Sequence, residues 1–287
     1  MNDAFAGART ICILAAGPLS DVPLSIVKLA EELCRHHERV AVTYSNDVDV
    51  DVNVDVLHEC GVIPIRVENW CYDFGQWFTV LSRLYEDFSL ITLINDSCIL
   101  IKKMDQYMKW GLSAGFDCWG LTSSLEVEFH VQSYIRTYTG IGVRSLMSFV
   151  HSDEVYEHLD KISILPLTKL RKEIIKTYEI EMLSRIGISS GAIFNATNNS
   201  SWHNWHLYMD DPRFCLLKKK RAHCPVDVLR CCDSELSEMV SDELLLWPGL
   251  GRFRKRLCRR AARMKLLKLV NFVNFGTRKL ARQFSKK

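Results

Sequence analysis

The first half of the chain alternates continuous apolar runs with segments of helical periodicity. Four runs of apolar and β-branched residues predict strands buried on both faces, at residues 10–16, 39–44, 62–67 and 90–94. Between the first two runs, apolar residues recur over 23–36 at the spacing of one helix face. The order strand, helix, strand predicts a parallel sheet with helices packed on its faces.

The pattern continues less regularly in the second half. Further strands are predicted at 116–122, 130–138 and 192–194. Helices are predicted at 76–85, 104–113, 145–151, 152–159 and 168–185, the last ending before Gly187. The stretch 196–246 has no clear periodicity and is interpreted as irregular.

Polar residues follow the run at 90–94 directly, as Asn95-Asp96-Ser97. In open α/β sheets, ligands bind outside the carboxyl ends of the strands. A carboxylate between an amide and a hydroxyl is chemically suited to a divalent cation or a sugar hydroxyl. The same three residues are also common in turns and helix caps, so the triplet alone leaves both interpretations open.

Composition places the chain among ordinary globular proteins. Of its 287 residues, 48% are hydrophobic and 25% are charged. The 11 cysteines show no paired metal-binding spacing, and no signal peptide is recognised, so reduced thiols in the cytoplasm are expected. No apolar run approaches the roughly 20 residues needed to cross a bilayer.

The charge is unevenly distributed along the chain. Residues 247–287 contain 14 Lys or Arg and no Asp or Glu, which leaves 23 basic against 34 acidic residues elsewhere. The tail predicts a basic amphipathic helix, and residues 252–287 are expected to lie on an anionic membrane surface. Nucleic acid is a competing partner, but no recognised nucleic-acid motif accompanies the charge. An acidic protein face is a third alternative.

Several motifs occur in one order that resembles the rhamnan synthesis protein F family. They are Asn69-Trp-Cys-Tyr-Asp-Phe-Gly-Gln-Trp77, Leu93-Ile-Asn-Asp-Ser97, Phe116-Asp-Cys-Trp-Gly-Leu-Thr122, His130-Val-Gln-Ser-Tyr134, Tyr178-Glu-Ile180 and Phe214-Cys-Leu-Leu-Lys218. The resemblance covers roughly residues 8–225. Trp70 and Cys71 depart from it, since the family has a more polar stretch there.

The resemblance implies a glycosyltransferase with a GT-A-like, Rossmann-type mixed sheet flanked by helices. It implies an inverting transfer of a sugar, L-rhamnose being expected from dTDP-L-rhamnose, to a lipid-linked or growing cell-surface polysaccharide. Together with the basic tail, it predicts an enzyme in the cytoplasm, peripheral at the inner face of the membrane. The predicted divisions are a catalytic domain at 1–225, a linker at 226–246 and the tail at 247–287.

The resemblance also implies roles for individual residues. Asp96 takes the position of the metal-binding aspartate, so Mg²⁺ or Mn²⁺ is the expected cofactor, with Asn95 and Ser97 beside it. Asp73 and Gly75 are expected on the nucleotide side, although Asp73 is alternatively a helix cap. Lys218 is expected at the diphosphate, although charge runs such as 218–221 are commonly solvated.

Catalytic and acceptor residues are predicted further along the chain. Glu179 is the expected catalytic base, with Asp117 in reserve, while residue type alone favours a solvated helical Glu179. The acceptor or sugar side is predicted to consist of Trp119, Thr122, His130, Gln132, Ser133 and Tyr134. On one strand, His130, Gln132 and Tyr134 would share a face lining a cleft. Trp119 could stack on a sugar, or pack in the core.

Two other classes of function remain open at this point. One is a catalytically inert α/β module that binds a nucleotide sugar or glycan, or scaffolds a synthesis complex. The other is a nucleic-acid-binding protein acting through its basic tail. Turnover of nucleotide sugars distinguishes an enzyme from the inert module. Salt-sensitive binding to nucleic acid would identify the nucleic-acid-binding protein.

Overall fold

The computed structural model describes residues 2–45, 52–68, 70–125, 128–195, 208–219 and 225–246. The predicted basic tail at 247–287 lies outside these residues. None of the helices within the described ranges is long and apolar enough to cross a membrane.

Ten strands run through the described chain. They are β1 Thr10–Pro18, β2 Arg39–Ser45, β3 Ile63–Arg66, β4 Leu90–Asn95, β5 Cys98–Leu100, β6 Cys118–Ser124, β7 His130–Val131, β8 Ile135–Thr139, β9 Ser190–Phe194 and β10 Leu216–Lys218. The four strands predicted from continuous apolar runs are β1 to β4, and each lies within two residues of its predicted bounds.

Helices separate most of the strands. They are α1 Asn2–Phe5, α2 Leu24–Cys34, α3 Asp55–Glu59, α4 Tyr72–Leu81, α5 Asp105–Ser113, α6 Ile141–Val150, α7 Asp153–Ser163, α8 Leu167–Ile174, a π-helix Ile175–Glu181, α9 Met182–Arg185, α10 Pro225–Cys231, a 3₁₀-helix Ser234–Leu236 and α11 Ser237–Leu246.

The main sheet changes from parallel to antiparallel at its centre. Its order is β3-β2-β1-β4-β8-β6-β7, with β9 paired to β6. Strands β3, β2, β1 and β4 are mutually parallel, whereas β8 runs antiparallel between β4 and β6. Strands β5 and β10 form a separate antiparallel pair. The fold class is therefore as predicted, a mixed α/β sheet flanked by helices.

Apolar side chains cover both faces of the sheet. Along β1, Cys12 and Leu14 face one cluster of buried residues, while Ile11 and Ile13 face the other. Helices α2, α5 and α11 pack on the first face, and α4, α6 and α7 pack on the second. Two buried faces explain why the central strands appear in sequence as continuous apolar runs.

Three local predictions are wrong. Helix α4 begins at Tyr72, so Asp73 lies in its first turn and not in a loop before it. The single strand predicted at 130–138 is two strands, β7 and β8, separated by residues 132–134. The described part of 196–246 is largely regular: it contains β10, and Val228, Met239 and the helices around them pack in the core, where the sequence predicted a linker.

Candidate functional site

The site lies at the edge of the sheet where the parallel strands β1 and β4 both end. Strand β4 is followed at once by Asp96 and Ser97, and β1 ends in Gly17-Pro18. The Gly17 amide donates to Asp96 Oδ2 at 3.2 Å, and the Asp96 amide donates to the Ala15 carbonyl at 3.0 Å. Two strand ends thus position the Asp96 carboxylate at the carboxyl edge of the sheet.

Asn95 connects Asp96 to a second carboxylate. Its Nδ2 donates to Asp73 Oδ2 at 2.7 Å, and its Oδ1 accepts from the Ser97 hydroxyl at 2.5 Å. Because the amide both donates and accepts, its orientation is fixed by these two contacts. Asn95 is buried, whereas Asp96 and Ser97 are partly exposed. The hydrogen bonds bring Asp73, Asn95, Asp96 and Ser97 into one group.

The chain reaches Asp73 through a strained turn. Cys71 and Tyr72 have φ values of 56° and 57°, in the left-handed region that residues with a side chain rarely adopt. Gly75 is required just after this turn, because a Cβ there would lie 1.8 Å from the Trp70 carbonyl oxygen. Strained backbone of this kind is concentrated at functional sites. The turn directs Asp73 towards Asn95.

Burial and several charged neighbours act on the carboxyl group of Asp73. Burial, and after it the nearby Asp96 carboxylate, favours the neutral form, and the pKa of Asp73 is raised to about 6. The Asn95 hydrogen bond and the Lys218 ammonium oppose this shift in pKa, while Glu179 adds to it. All four neighbours were predicted as site residues, and their charges and hydrogen bonds act on one carboxyl. A group with such a perturbed pKa beside a second carboxylate is a candidate for a functional role.

Lys218 reaches this group from far along the chain. It ends β10, which pairs with β5 immediately after the Asn95-Asp96-Ser97 turn, and the Lys219 amide donates to the Ser97 carbonyl at 2.7 Å. The Lys218 ammonium lies 5.4 Å from the centre of the Tyr134 ring. A cation held on an aromatic face is an available partner for a phosphate.

Glu179 lies on the π-helix, partly exposed. A buried guanidinium holds this segment against the sheet: Arg136, on β8, is only 1% exposed. It donates to the carbonyls of Val131 at 2.6 Å and Tyr178 at 3.0 Å, and also to the carbonyl of Glu179. π-Helical turns occur mostly as single turns and often at functional sites. Arg136 therefore fixes the backbone that carries Glu179.

Three of the predicted acceptor residues form one polar network. The Thr122 hydroxyl donates to Gln132 Oε1 at 2.7 Å, and the Tyr134 hydroxyl donates to Thr122 Oγ1 at 2.7 Å. The Tyr134 carbonyl accepts from the Asn95 amide at 3.2 Å. Since the Tyr134 ring also contacts Lys218, this network borders the carboxylate group.

The structure places the remaining predicted residues elsewhere or in other surroundings. Asp117 precedes β6 at the opposite edge of the sheet, where its Oδ2 accepts from the Ser189 hydroxyl at 2.6 Å. Trp119 is fully buried against Gly111 in the core and offers no face to a sugar. His130 Nδ1 donates to the Glu128 carbonyl oxygen at 2.9 Å, and Ser133 is buried in the turn between β7 and β8.

Sequence reasoning missed two residues that shape the site. Arginine is usually solvated, so no sequence signal marks Arg136, and only the fold shows three carbonyls converging on it. Gly17 carried a usable signal, because it ends a buried strand parallel to β4 and so belongs to the same edge as Asp96.

The residues present fit a divalent cation only in part. Among the described residues, no group of three His, Cys, Asp or Glu side chains is arranged to hold a metal ion. Asp73 and Asp96 nevertheless form a pair whose mutual repulsion a cation would relieve. Mg²⁺ commonly binds through one or two carboxylates, keeping waters and substrate phosphates as its other ligands. The pair therefore fits a cation that arrives with a phosphorylated substrate.

Comparison with known proteins gives weak similarities. No family model matches the chain, and no curated protein matches it. Among solved structures, 4-diphosphocytidyl-2C-methyl-D-erythritol synthase from Anaerococcus prevotii DSM 20548 is 8% identical with a TM-score of 0.38, over 67% of this chain and 91% of that one. A protein from Desulfovibrio desulfuricans G20, provisionally assigned as a nucleotide-diphospho-sugar transferase, is 10% identical with a TM-score of 0.38, over 81% and 97%.

A third similar structure is the mannosyltransferase PcManGT from Pyrobaculum calidifontis, which was solved in complex with GDP-Man and Mn²⁺. It is 9% identical with a TM-score of 0.31, over 99% of this chain and 86% of that one. TM-scores below 0.5 are too low to establish a shared fold.

Proposed function

We propose that the protein is a glycosyltransferase that uses a nucleotide-diphosphate sugar. The observation that carries the proposal is the grouping of Asp73, Asp96 and Lys218 at the carboxyl edge of the parallel strands, with Glu179 close enough to affect the pKa of Asp73. Two carboxylates and an ammonium can hold a diphosphate together with its cation. Glu179, a third carboxylate, lies on the π-helix and is available as a base.

In the proposed reaction, the bond between the anomeric carbon and the diphosphate oxygen breaks, and its electron pair leaves with the diphosphate. Lys218 stabilises the negative charge that develops on that leaving group. The acceptor hydroxyl oxygen bonds to the anomeric carbon from the opposite side, and Glu179 takes its proton. Inversion of the anomeric configuration follows from this single displacement.

Asp73 and Asp96 are the residues that would hold a Mg²⁺ or Mn²⁺ ion, which when bound supplies positive charge to the leaving diphosphate. Asn95 orients Asp73, and the Gly17 amide orients Asp96. Thr122 is partly exposed and is held by the buried Gln132 and Tyr134, whose ring contacts Lys218, so that its hydroxyl borders the place where a sugar can be recognised. Binding and orientation are therefore divided between two polar networks that meet at Tyr134.

The finer proposal is a rhamnosyltransferase related to the rhamnan synthesis protein F family. It is supported by the ordered motifs, several of which contribute to the group around Asn95: the segment 69–77 supplies Asp73, and the segment 214–218 supplies Lys218. Under this proposal the donor is dTDP-L-rhamnose and the acceptor is a growing or lipid-linked polysaccharide. The enzyme would work at the cytoplasmic face of a membrane, with residues 252–287 on anionic lipid.

The test is release of nucleoside diphosphate from a panel of nucleotide sugars that includes dTDP-L-rhamnose, with and without Mg²⁺ or Mn²⁺. Asp96→Asn and Glu179→Gln are expected to lower turnover by about a hundredfold or more, because each removes a group that acts in the transition state. Asp117→Asn is the matched control, since it changes a carboxylate at the opposite edge of the sheet.

Each result bears on a different alternative. Selective turnover of one donor, lost in both site variants and kept in the control, supports the transferase and identifies its sugar. Binding of a nucleotide sugar without turnover, even with glycan extract as acceptor, would indicate the inert module instead. Salt-sensitive binding to DNA or RNA, with no response to any nucleotide sugar, would indicate the nucleic-acid alternative.

A further inference from the structure

An exposed apolar corner lies between α7 and α8, at residues 161–172. Its tip contains Ile164, which is 85% exposed, and Leu167, which is 69% exposed. Ile164 has the highest exposure of any large apolar side chain in the described part of the protein. These two residues, three positions apart and with the exposed Pro166 between them, form a local apolar projection.

Basic residues surround this projection. Residues 161–172 contain four basic side chains, Lys161, Lys169, Arg171 and Lys172, and one acidic residue flanks each end of this range, Asp160 and Glu173, so the corner has a net positive charge. All four basic side chains are exposed, and none forms an ion pair with another residue that the structure describes. The positive charge of the corner is therefore available to an external partner. It contrasts with residues 1–246, where acidic residues outnumber basic ones by 34 to 23.

We propose that the α7–α8 corner inserts its apolar tip into an anionic lipid membrane. Apolar side chains that project between cationic ones match the two layers of a membrane interface, with acyl chains below and anionic head groups around them. Each basic residue near such a surface contributes about 1 kcal/mol to binding, which corresponds to about fivefold in affinity. Interfacial segments bury their apolar side to a depth of about 5–10 Å.

The composition of the corner favours lipid over a protein partner. A protein interface of standard size has a buried apolar core of many residues within a polar rim. Here only two large side chains are strongly exposed, and the half-buried Leu165 and Leu170 pack back against the core. A small apolar tip among side chains of net positive charge suits a fluid anionic surface, which needs no shape complementarity.

The corner is continuous with the helical segment that carries Glu179. From Leu167 the chain is helical through α8 and the π-helix, so Glu179 lies twelve residues further along. At a helical rise of 1.5 Å per residue this is roughly 18 Å. Membrane binding by the corner is independent of the proposed chemistry. If the transferase proposal is also correct, binding would present the Glu179 side of the site to a lipid-linked acceptor.

The test uses the full chain with sedimented vesicles of phosphatidylcholine, alone or mixed with phosphatidylglycerol. Ile164→Ser combined with Leu167→Ser is expected to lower partitioning into the mixed vesicles about tenfold or more. Lys169→Gln combined with Lys172→Gln is expected to lower it by about fivefold per residue. The matched control combines Leu24→Ser and Leu112→Ser, which change two apolar side chains that are 53% and 63% exposed elsewhere.

Because every variant retains residues 247–287, any binding by the tail is common to all of them. Loss in both corner variants and none in the control supports the proposal. Equal partitioning of wild type and corner variants would overturn it, and so would self-association that the corner variants abolish without any change in vesicle binding. As a second measurement, Leu167→Trp is expected to gain tryptophan fluorescence that brominated phosphatidylglycerol quenches, and absence of added quenching would also overturn it.

Discussion

The charge on Asp73 is expected to weaken the fold at neutral pH. The pKa of this carboxyl rises from its ordinary value of 3.8 to about 6 in the folded chain, because it is buried beside Asp96. The folded state therefore binds the proton more tightly than the unfolded state, and stability falls as the pH rises from about 4 through about 6. At 1.36 kcal/mol per pKa unit, the full loss above that window is about 3 kcal/mol.

Asp73→Asn removes this charge and keeps the shape of the side chain. We expect the variant to be more stable than wild type by about 2–3 kcal/mol near pH 8, and by less than about 1 kcal/mol near pH 4, where the wild-type carboxyl is protonated in the fold. Urea unfolding followed by far-UV circular dichroism, with EDTA present, measures both differences. Other titrating groups largely cancel because the two chains share them.

Asp117→Asn is the control, because that carboxylate accepts from the Ser189 amide and hydroxyl and its replacement should stabilise the protein at neither pH. Mn²⁺ added together with a nucleoside diphosphate, in place of EDTA, should stabilise wild type more than Asp73→Asn, since only the former has the full carboxylate pair. A variant that is less stable than wild type near pH 8, or a stability difference independent of pH, would refute the reasoning.

Two further predictions concern the supports of the site. Arg136→Lys should lower the free energy of unfolding by about 2–4 kcal/mol, because an ammonium cannot reach the three carbonyls that the guanidinium satisfies. Urea unfolding measures this loss, and an Arg136→Lys variant as stable as wild type would contradict the prediction. Gly75→Ala should lower thermal stability by at least about 2 kcal/mol, because its Cβ would overlap the Trp70 carbonyl; an unchanged melting temperature would show that this turn relaxes freely.

The parallel half of the fold was predictable because its strands are buried on both faces. Strands β1, β2 and β4 appear as apolar runs with little interruption, and the residues that follow β4 had to lie at the carboxyl edge of the sheet. The position of Asp96 therefore followed from local pattern alone. The hydrogen bond that Asp96 accepts from the Gly17 amide could have been predicted in the same way, because Gly17 lies at the end of the neighbouring parallel strand.

The antiparallel half was less predictable because its contacts are made between distant segments. Strands β5 and β10 have three residues each and pair with each other, and no local sequence pattern reveals this pairing. The run 130–138 alternates as a strand would, but the chain turns at Ser133 and Tyr134 so that the Tyr134 carbonyl can accept from Asn95. For Trp119 the sequence left sugar stacking and core packing open, and packing against Gly111 places it in the core.

The β5–β10 pair has a consequence for the order in which the protein matures. Strand β9 ends at Phe194, so every strand of the main sheet has been synthesised by then. Lys218 is made later, and its strand must close a loop of more than a hundred residues to pair with Cys98. Such long-range closure is entropically costly and tends to come late in folding. A nascent chain would therefore form the complete main sheet before the Lys218 ammonium reaches the carboxylates of Asp73 and Asp96.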